Sequence, residues 1–450
     1  MLNVASINTV NGARTSASLA RPLYDSYCFA NIPASITYLL TGEGQIALPA
    51  DVFAGLSAPF DKVILFFIDA FGWRFFERYA SKYTLLKTFV QHGIVSKLTS
   101  QFPSTTAAHV TCIHTGLNVG QSGVYEWNYY EPLVDEIITP LLFSFAGDKA
   151  RDTLKRANVP PEAFFPQPTF YQQLQARGIA SYVFQSAAFT PSTPSDVYYK
   201  GATIFPYKNL DDGFTLLERA LDPGVDMAGR GNVGGREQGS GREQGSGRDL
   251  SRPYYCFFYY NLIDSASHTY GPNSREFEQA VDTFFTTFDK HLATLLRGQK
   301  GRTLFMMTAD HGQIAVNASQ TCYLNRHIPG IASYLRTNRR GQLLVPAGSA
   351  RDMFLYVKPE RLDEVIALLQ HRLDGIARVY RVQEFIDQGY FGTTTPSQEF
   401  MARAGNVLIL PEPHQTVWWH EYGKFAMNFA GHHGGLTPAE MEIPLFVLPC

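Results

Sequence analysis

The stretch KVILFFIDAFG, residues 62–72, decides the fold, because it reads as a strand buried on both faces that ends in a carboxylate. Residues 63–68 are continuously apolar, rich in β-branched and aromatic side chains, and too few for a typical helix. Such a run needs cover on both sides, as in a parallel sheet between helices. Asp69 then falls at the carboxyl end of the strand, where open α/β sheets form their ligand crevice. A second reading makes Asp69 the cap of a helix that begins near Phe71.

Two further strands share this design. Residues 254–263, YYCFFYYNLI, run into Asp264, and residues 303–308, TLFMMT, lead to Asp310-His311-Gly312. Three acids at one sheet edge are more than capping accounts for. The expected fold is therefore α/β, a mostly parallel central sheet with helices on both faces. Helices are expected over 71–89, 105–115, 169–177, 211–221 and 277–296, and strands over 94–98 and 180–185, with 406–410 and 444–448 returning to the main sheet. Residues up to about 20 read as a mobile arm, and 23–48 show no clean period. From Arg351 the pattern changes to short strands and amphipathic helices, which suggests a small α+β cap. The expected organisation is a catalytic domain of residues 21–350 and 400–450 and a cap of 351–399. In the Gly-rich stretch 224–250, GREQGSGREQGSGR offers almost nothing to bury and reads as a disordered insertion.

Composition excludes several function classes. A formal net charge of −2 with 17% charged residues gives no electrostatic footprint for nucleic acid or an acidic membrane. No apolar run reaches the length of a membrane span, and the first residues lack the pattern of a signal peptide, so a cytoplasmic protein is expected. Five scattered cysteines without a CxxC pair fit free thiols better than a disulfide framework or a sulfur-ligated metal.

The side chains gathered at the strand ends are Asp69, Asp264, His268, Asp310, His311 and either His432 or His433. Oxygen and imidazole donors without thiolate suit a pair of divalent ions of the zinc or manganese type, and six donors make two half-sites of three. Asp264 and His268 stand four apart in DSASH, one helical turn. The segment FPSTTAAHVTCIHTG adds Ser104, Thr105 and Thr106 just before an expected helix, where free backbone N–H groups favour an anion. A hydroxyl there becomes a nucleophile once a cation lowers its pKa; at least one of the three is expected simply to cap the helix.

Taken in order, FFIDAFG, FPSTTAAHVTCIHTG, NLIDSASHTYGP, TADHG and GHHGGLTPAEMEIPL resemble the type I phosphodiesterase/nucleotide pyrophosphatase family of the alkaline phosphatase superfamily. The resemblance implies an alkaline phosphatase-like fold and two zinc ions. One would be held by Asp69, Thr106, Asp310 and His311, the other by Asp264, His268 and, from the HGG pattern, His433. It makes Thr106 the nucleophile of a phosphodiester or nucleotide hydrolase acting on a small-molecule ester through a phosphothreonine. This chain departs from the nucleotide-cleaving members in two places. It has Ala107-Ala108-His109 where they carry Asn-His, and Trp127 where they carry the asparagine that holds the phosphoryl oxygen, so Asn128 is assigned that role. The superfamily also admits phosphomonoesterase, phosphonate hydrolase, mutase and sulfatase activities, the last disfavoured by the lack of a CxPxR-like motif. A binding protein on an inactive scaffold is the reading from another class.

Overall fold

The computed structural model describes residues 1–16, 18–221, 253–296 and 301–450; the insertion expected at 224–250 lies outside the described residues. Seven strands form the main sheet: β1 (Lys62–Ile68), β2 (Ile94–Thr99), β3 (Ala180–Ser186), β4 (Thr203–Tyr207), β5 (Tyr254–Tyr260), β6 (Thr303–Thr308) and β7 (Glu442–Pro449). Their order is β2-β7-β6-β1-β5-β3-β4, which puts β1 at the centre. Within it only β7 runs antiparallel to its neighbours. All seven residues of β1 are buried. The alternation of a strand sends successive phenylalanines to opposite faces. Phe66 packs on Phe214 and Phe288 of the helices Leu210–Leu221 and Arg275–Leu296, while Phe67 meets Phe29 on the other side.

Register is what aligns the acids. Tyr260 pairs with Ile68 and Thr308 with Phe67, so the chain leaves all three strands at one level of the sheet. The turns that follow β1 and β6 then touch backbone to backbone. A Cβ on Gly72 would stand 2.6 Å from the Gly312 Cα, and one on Gly312 would run into the Ala439 carbonyl, so neither place admits a side chain.

Several expected elements differ. The segment 71–89 is two helices, Trp73–Tyr79 and Thr84–His92, because Asp289 of the long helix accepts from the N–H groups of Thr84 (2.9 Å) and Leu85 (2.7 Å) and starts a new helix there. The expected mobile arm holds the helix Val4–Gly12, which lies along β2 and covers that edge of the sheet; Met1 and Asn3 bond the Val95 backbone, and the Lys97 N–H donates to Ser6 Oγ. The uncertain stretch after it contains the helix Ile32–Thr41. Val407–Pro411 does not return to the main sheet. It joins a four-stranded antiparallel sheet ordered Ala347–Ser349, Asp352–Leu355, Val407–Pro411, Ala377–Arg381, with the helix Leu362–Arg372 packed on it and an apolar cluster of its own. No helix among the described residues is long and apolar enough to cross a membrane.

Candidate active site

Asp69 is the first residue after β1, and Ala70 behind it turns the chain with a φ of 62°. The cap of the next helix is Gly72, without a side-chain bond, so Asp69 is not a helix cap. Its Oδ2 accepts from the Tyr259 hydroxyl, and its buried Oδ1 has no hydrogen-bond partner. Asp310, two residues after β6, accepts through Oδ1 from the N–H groups of Ala70 (3.0 Å) and His311 (2.9 Å), while its buried Oδ2 is likewise left without a partner. His311 Nε2 lies 3.2 Å from that oxygen and 3.6 Å from Asp69 Oδ1. Burial first, and then the charges of Asp310 and Asp264, raise the Asp69 carboxyl well above its usual range; burial raises Asp310 as well. Two such oxygens side by side are unfavourable unless a cation joins them.

The second group is built on a helix and a loop. Asp264 and His268 occupy the first and last turns of Leu262–Tyr270, one turn apart on one face, and His433 arrives from the loop before β7. His268 Nε2 is 3.4 Å from Asp264 Oδ1, and His433 Nε2 is 3.8 Å from the same oxygen. His268 Nδ1 donates to the Gly431 carbonyl (2.8 Å) and His433 Nδ1 to the Ser104 carbonyl (2.9 Å). A carbonyl only accepts, so in each neutral ring the proton sits on Nδ1 and Nε2 is a lone pair. These two Nε2 atoms face each other at 3.1 Å. Burial, followed by the neighbouring histidines, pushes His433 well below its usual pKa, which keeps it neutral. Two opposed lone pairs need a cation between them. Asp264, His268 and His433, and likewise Asp69, Asp310 and His311, keep donor atoms within 4.8 Å of one another, and His311 and His433 stack at 3.6 Å between the groups. His432 differs from His433: its Nδ1 is taken up by the His433 backbone.

The threonine segment joins the groups. Thr105 occupies the cap of the helix Thr106–Thr115, the position expected for one of the three, but makes no side-chain cap bond there. Ser104 Oγ donates to the Gly435 carbonyl (2.7 Å) and accepts from the Gly434 N–H (3.2 Å), which fastens the histidine loop. Thr106 Oγ1 lies 3.2 Å from His311 Nε2. His109 is fully buried beneath the segment; its Nδ1 donates to the Thr105 carbonyl (2.7 Å) and its Nε2 accepts from the Gln101 N–H (2.9 Å). Burial lowers its pKa to about 4, so it acts as a neutral brace. Asn128 stands in the cavity wall with Thr106, its Oδ1 accepting from Thr139 Oγ1 at 2.7 Å.

Four supports escaped sequence reasoning. Tyr259 is one more aromatic in a buried strand, and Gln313 Nε2 donates to Asp264 Oδ1 from just past the DHG turn. Arg351 and Glu440 form a fully buried bidentate pair with both distances 3.0 Å, and Glu440 also accepts from Gly435 N–H and Thr437 Oγ1. That pair sets the histidine loop from the far side. Only the Glu440 spacing after Thr437, a capping box, offers a signal in the sequence.

The type I phosphodiesterase / nucleotide pyrophosphatase family matches the chain over residues 63–436. Among solved structures, murine ectonucleotide pyrophosphatase / phosphodiesterase 5, as an inactive variant in complex with AMP, superposes with a TM-score of 0.58 at 14% identity, covering 86% of this chain and 87% of that one. The human protein of the same name gives 0.57 at 14% identity, with 86% and 87% covered. At that identity the likeness carries the fold. No curated protein matches the chain in sequence.

Proposed function

Because this chain belongs to the type I phosphodiesterase/nucleotide pyrophosphatase family and is thus a phosphodiesterase-type hydrolase of phosphoric ester bonds, we propose that it works through a phosphothreonine on Thr106 with two divalent cations. Asp69, Asp310, His311 and Thr106 would hold one cation, and Asp264, His268 and His433 the other. The observation that carries the reading is the pair of opposed imidazole lone pairs at 3.1 Å, supported by the orphaned oxygens of Asp69 and Asp310. Nitrogen and carboxylate donors without sulfur favour zinc, with manganese next. When bound, such cations supply positive charge to the phosphoryl oxygens and lower the pKa of a nearby hydroxyl.

The residues of the chain do the rest. The turns after β1 and β6 fix the acids against the sheet, and the Ser104 and His109 bonds fix the threonine segment, so the Thr106 hydroxyl is presented without reorganisation. Thr106 Oγ attacks phosphorus, the bond to the leaving oxygen breaks, and water then hydrolyses the phosphothreonine to release the monoester. Asn128, whose Nδ2 is the donor left once Oδ1 is bonded to Thr139, would hold a phosphoryl oxygen. The test is metal analysis and turnover of bis(4-nitrophenyl) phosphate on one sample. About two zinc or manganese ions per chain are expected, with activity lost on chelation and restored by either metal. Activity indifferent to chelation would sink the two-cation reading.

A further inference from the structure

Two cavities meet at the candidate nucleophile, and they share Thr106, Trp127 and Asp264. One, of about 260 Å³, also touches Asp69 and is walled by residues such as Leu141, Phe189 and Tyr198. The other, of about 370 Å³, has His268 and His433 in its floor and Trp418, Phe425, Met427 and Phe429 in its walls. Cavities that enclose whole small ligands begin at roughly 300 Å³. The larger chamber reaches that range and the smaller falls just short of it, so each has room for a substituent of its own and the two together for a molecule with two arms.

We propose that the substrate is a phosphodiester with two bulky, planar arms, and that the chamber walled by Trp418 and Phe425 is the seat of the leaving arm. The proposal rests on the hydrolase reading above. A monoester has one carbon substituent on phosphate and would leave one chamber filled with water. Chamber identity follows from the groups around Thr106. Its hydroxyl is held at 3.2 Å by His311, on the Asp69 side, whereas His268 and His433 lie in the floor of the aromatic chamber. An in-line displacement sends the leaving oxygen away from the nucleophile, toward this second group. Aromatic walls favour a flat arm that stacks on them. Lys424, a cation among the lining residues, is engaged by Glu421 at 2.7 Å, which suits an arm without charge of its own. Trp127 is 39% exposed and stands in both walls, so it is the divider between the arms. This chain thus uses an indole where the family resemblance places an asparagine.

In the first half of the reaction the Thr106 oxygen–phosphorus bond forms and the bond to the leaving arm breaks, its oxygen taking a proton to depart as an alcohol. In the second half water attacks the phosphothreonine, restores the threonine hydroxyl, and leaves the retained arm as a phosphate monoester. One water is consumed overall.

The experiment compares metal-loaded wild type with Ala426→Trp, which fills the aromatic chamber, and Leu141→Trp, which fills the other. Wild type should turn over bis(4-nitrophenyl) phosphate at least tenfold better in kcat/KM than methyl 4-nitrophenyl phosphate, and both better than 4-nitrophenyl phosphate. Ala426→Trp should cut kcat/KM for both diesters at least tenfold, through KM, because nitrophenol is the leaving arm of each. Leu141→Trp should lower only the two-armed substrate toward the methyl ester. A direct readout uses the Thr106→Ala background, in which Ala426→Trp should weaken binding of bis(4-nitrophenyl) phosphate at least tenfold. Should Ala426→Trp fail to fold, Phe425→Ala replaces it, with KM for both diesters expected to rise severalfold. An active Ala426→Trp or Phe425→Ala enzyme with unchanged KM overturns the chamber assignment and leaves the hydrolase reading standing. A folded, metal-loaded wild type that cleaves none of the esters overturns the hydrolase reading itself.

Discussion

The two donor groups are built from different materials. Asp69, Asp310 and His311 stand on the ends of adjacent central strands, with the Asp69 and His311 side chains 3% and 0% exposed. Asp264, His268 and His433 come from a helix and a loop, with the first two side chains 15% and 16% exposed. The sealed group is fixed by sheet register and by backbone N–H bonds to Asp310. The open group depends on side-chain fastenings such as Ser104 to Gly435, Gln313 to Asp264, and Glu440 to the histidine loop. The difference teaches where such a protein can change. The side that presents the nucleophile is part of the core, and alteration there touches the sheet. The side that faces the second cavity borders loops that can be rebuilt around another leaving group.

The largest expected effect comes from the residue between the groups. Thr106→Ala should lower turnover of bis(4-nitrophenyl) phosphate by a factor on the order of 10³ or more while metal content stays near that of wild type, read by steady-state kinetics and metal analysis. Retained turnover would remove the nucleophile from the sealed side. Next, Asp310→Asn and His268→Ala should each cost roughly 10²-fold or more in activity, yet differ in stability without metal. Asp310→Asn removes one of two adjacent buried carboxylates, so the metal-free chain should melt at or above the wild-type temperature, whereas His268→Ala should leave the melting temperature nearly unchanged. If the metal-free Asp310→Asn chain unfolds, the sealed group is holding the fold together by some other means, and the contrast is lost.

A smaller effect is expected from Tyr259→Phe. Loss of the hydroxyl that donates to Asp69 should weaken the cation on the sealed side by about 10- to 100-fold, the usual range for a group that orients a ligand, with little change at the open side. Titration of metal into each variant by calorimetry reads this directly.

The mildest test concerns Glu126, buried behind the threonine segment and pushed up to about 7, chiefly by burial. A carboxyl with a raised folded pKa holds its proton in the native state after the unfolded chain has released it. Stability is therefore lost as pH rises from the usual carboxylate range through about 7. Glu126→Gln should gain on wild type across that window by up to about 1.4 kcal/mol per pH unit, one proton's worth, and run parallel to it above. Parallel curves throughout would show that Glu126 is ionised in the native state.

Much of the site is legible because the strands announce themselves. A short, wholly apolar run followed by an acid can hardly be anything but a buried strand with a polar end, and that places Asp69, Asp264 and Asp310 together before any fold is known. The helical spacing of Asp264 and His268 is equally local. The resemblance covered the histidine loop. The supports were hidden for the opposite reason. Tyr259 in YYCFFYY is indistinguishable by pattern from its neighbours, and Arg351 with Glu440 reads as two unrelated charges 89 residues apart. The break near Thr84 was illegible because the residue that makes it, Asp289, comes from another helix.

Which segments wall the second cavity was hidden for the same reason. The aromatic cavity takes its far wall from Gly348 to Ala350 and from Trp418 to Phe429, segments that hold no common period and become neighbours only when two sheets are folded against one site. Val407–Pro411 could not be assigned to its sheet from its own residues, since an apolar five-residue strand suits either core.

The sequence by itself determined the class of fold, the strand ends from which the acids emerge, and the kind of donor available there. Those properties are local: hydrophobic period, chain breakers and side-chain chemistry act within a few residues. Tertiary structure decided which oxygens are left without partners, that two imidazole lone pairs meet at 3.1 Å, and that one threonine opens onto two chambers. Those depend on distances between segments far apart in the chain, which are fixed only when strand register and packing bring them together.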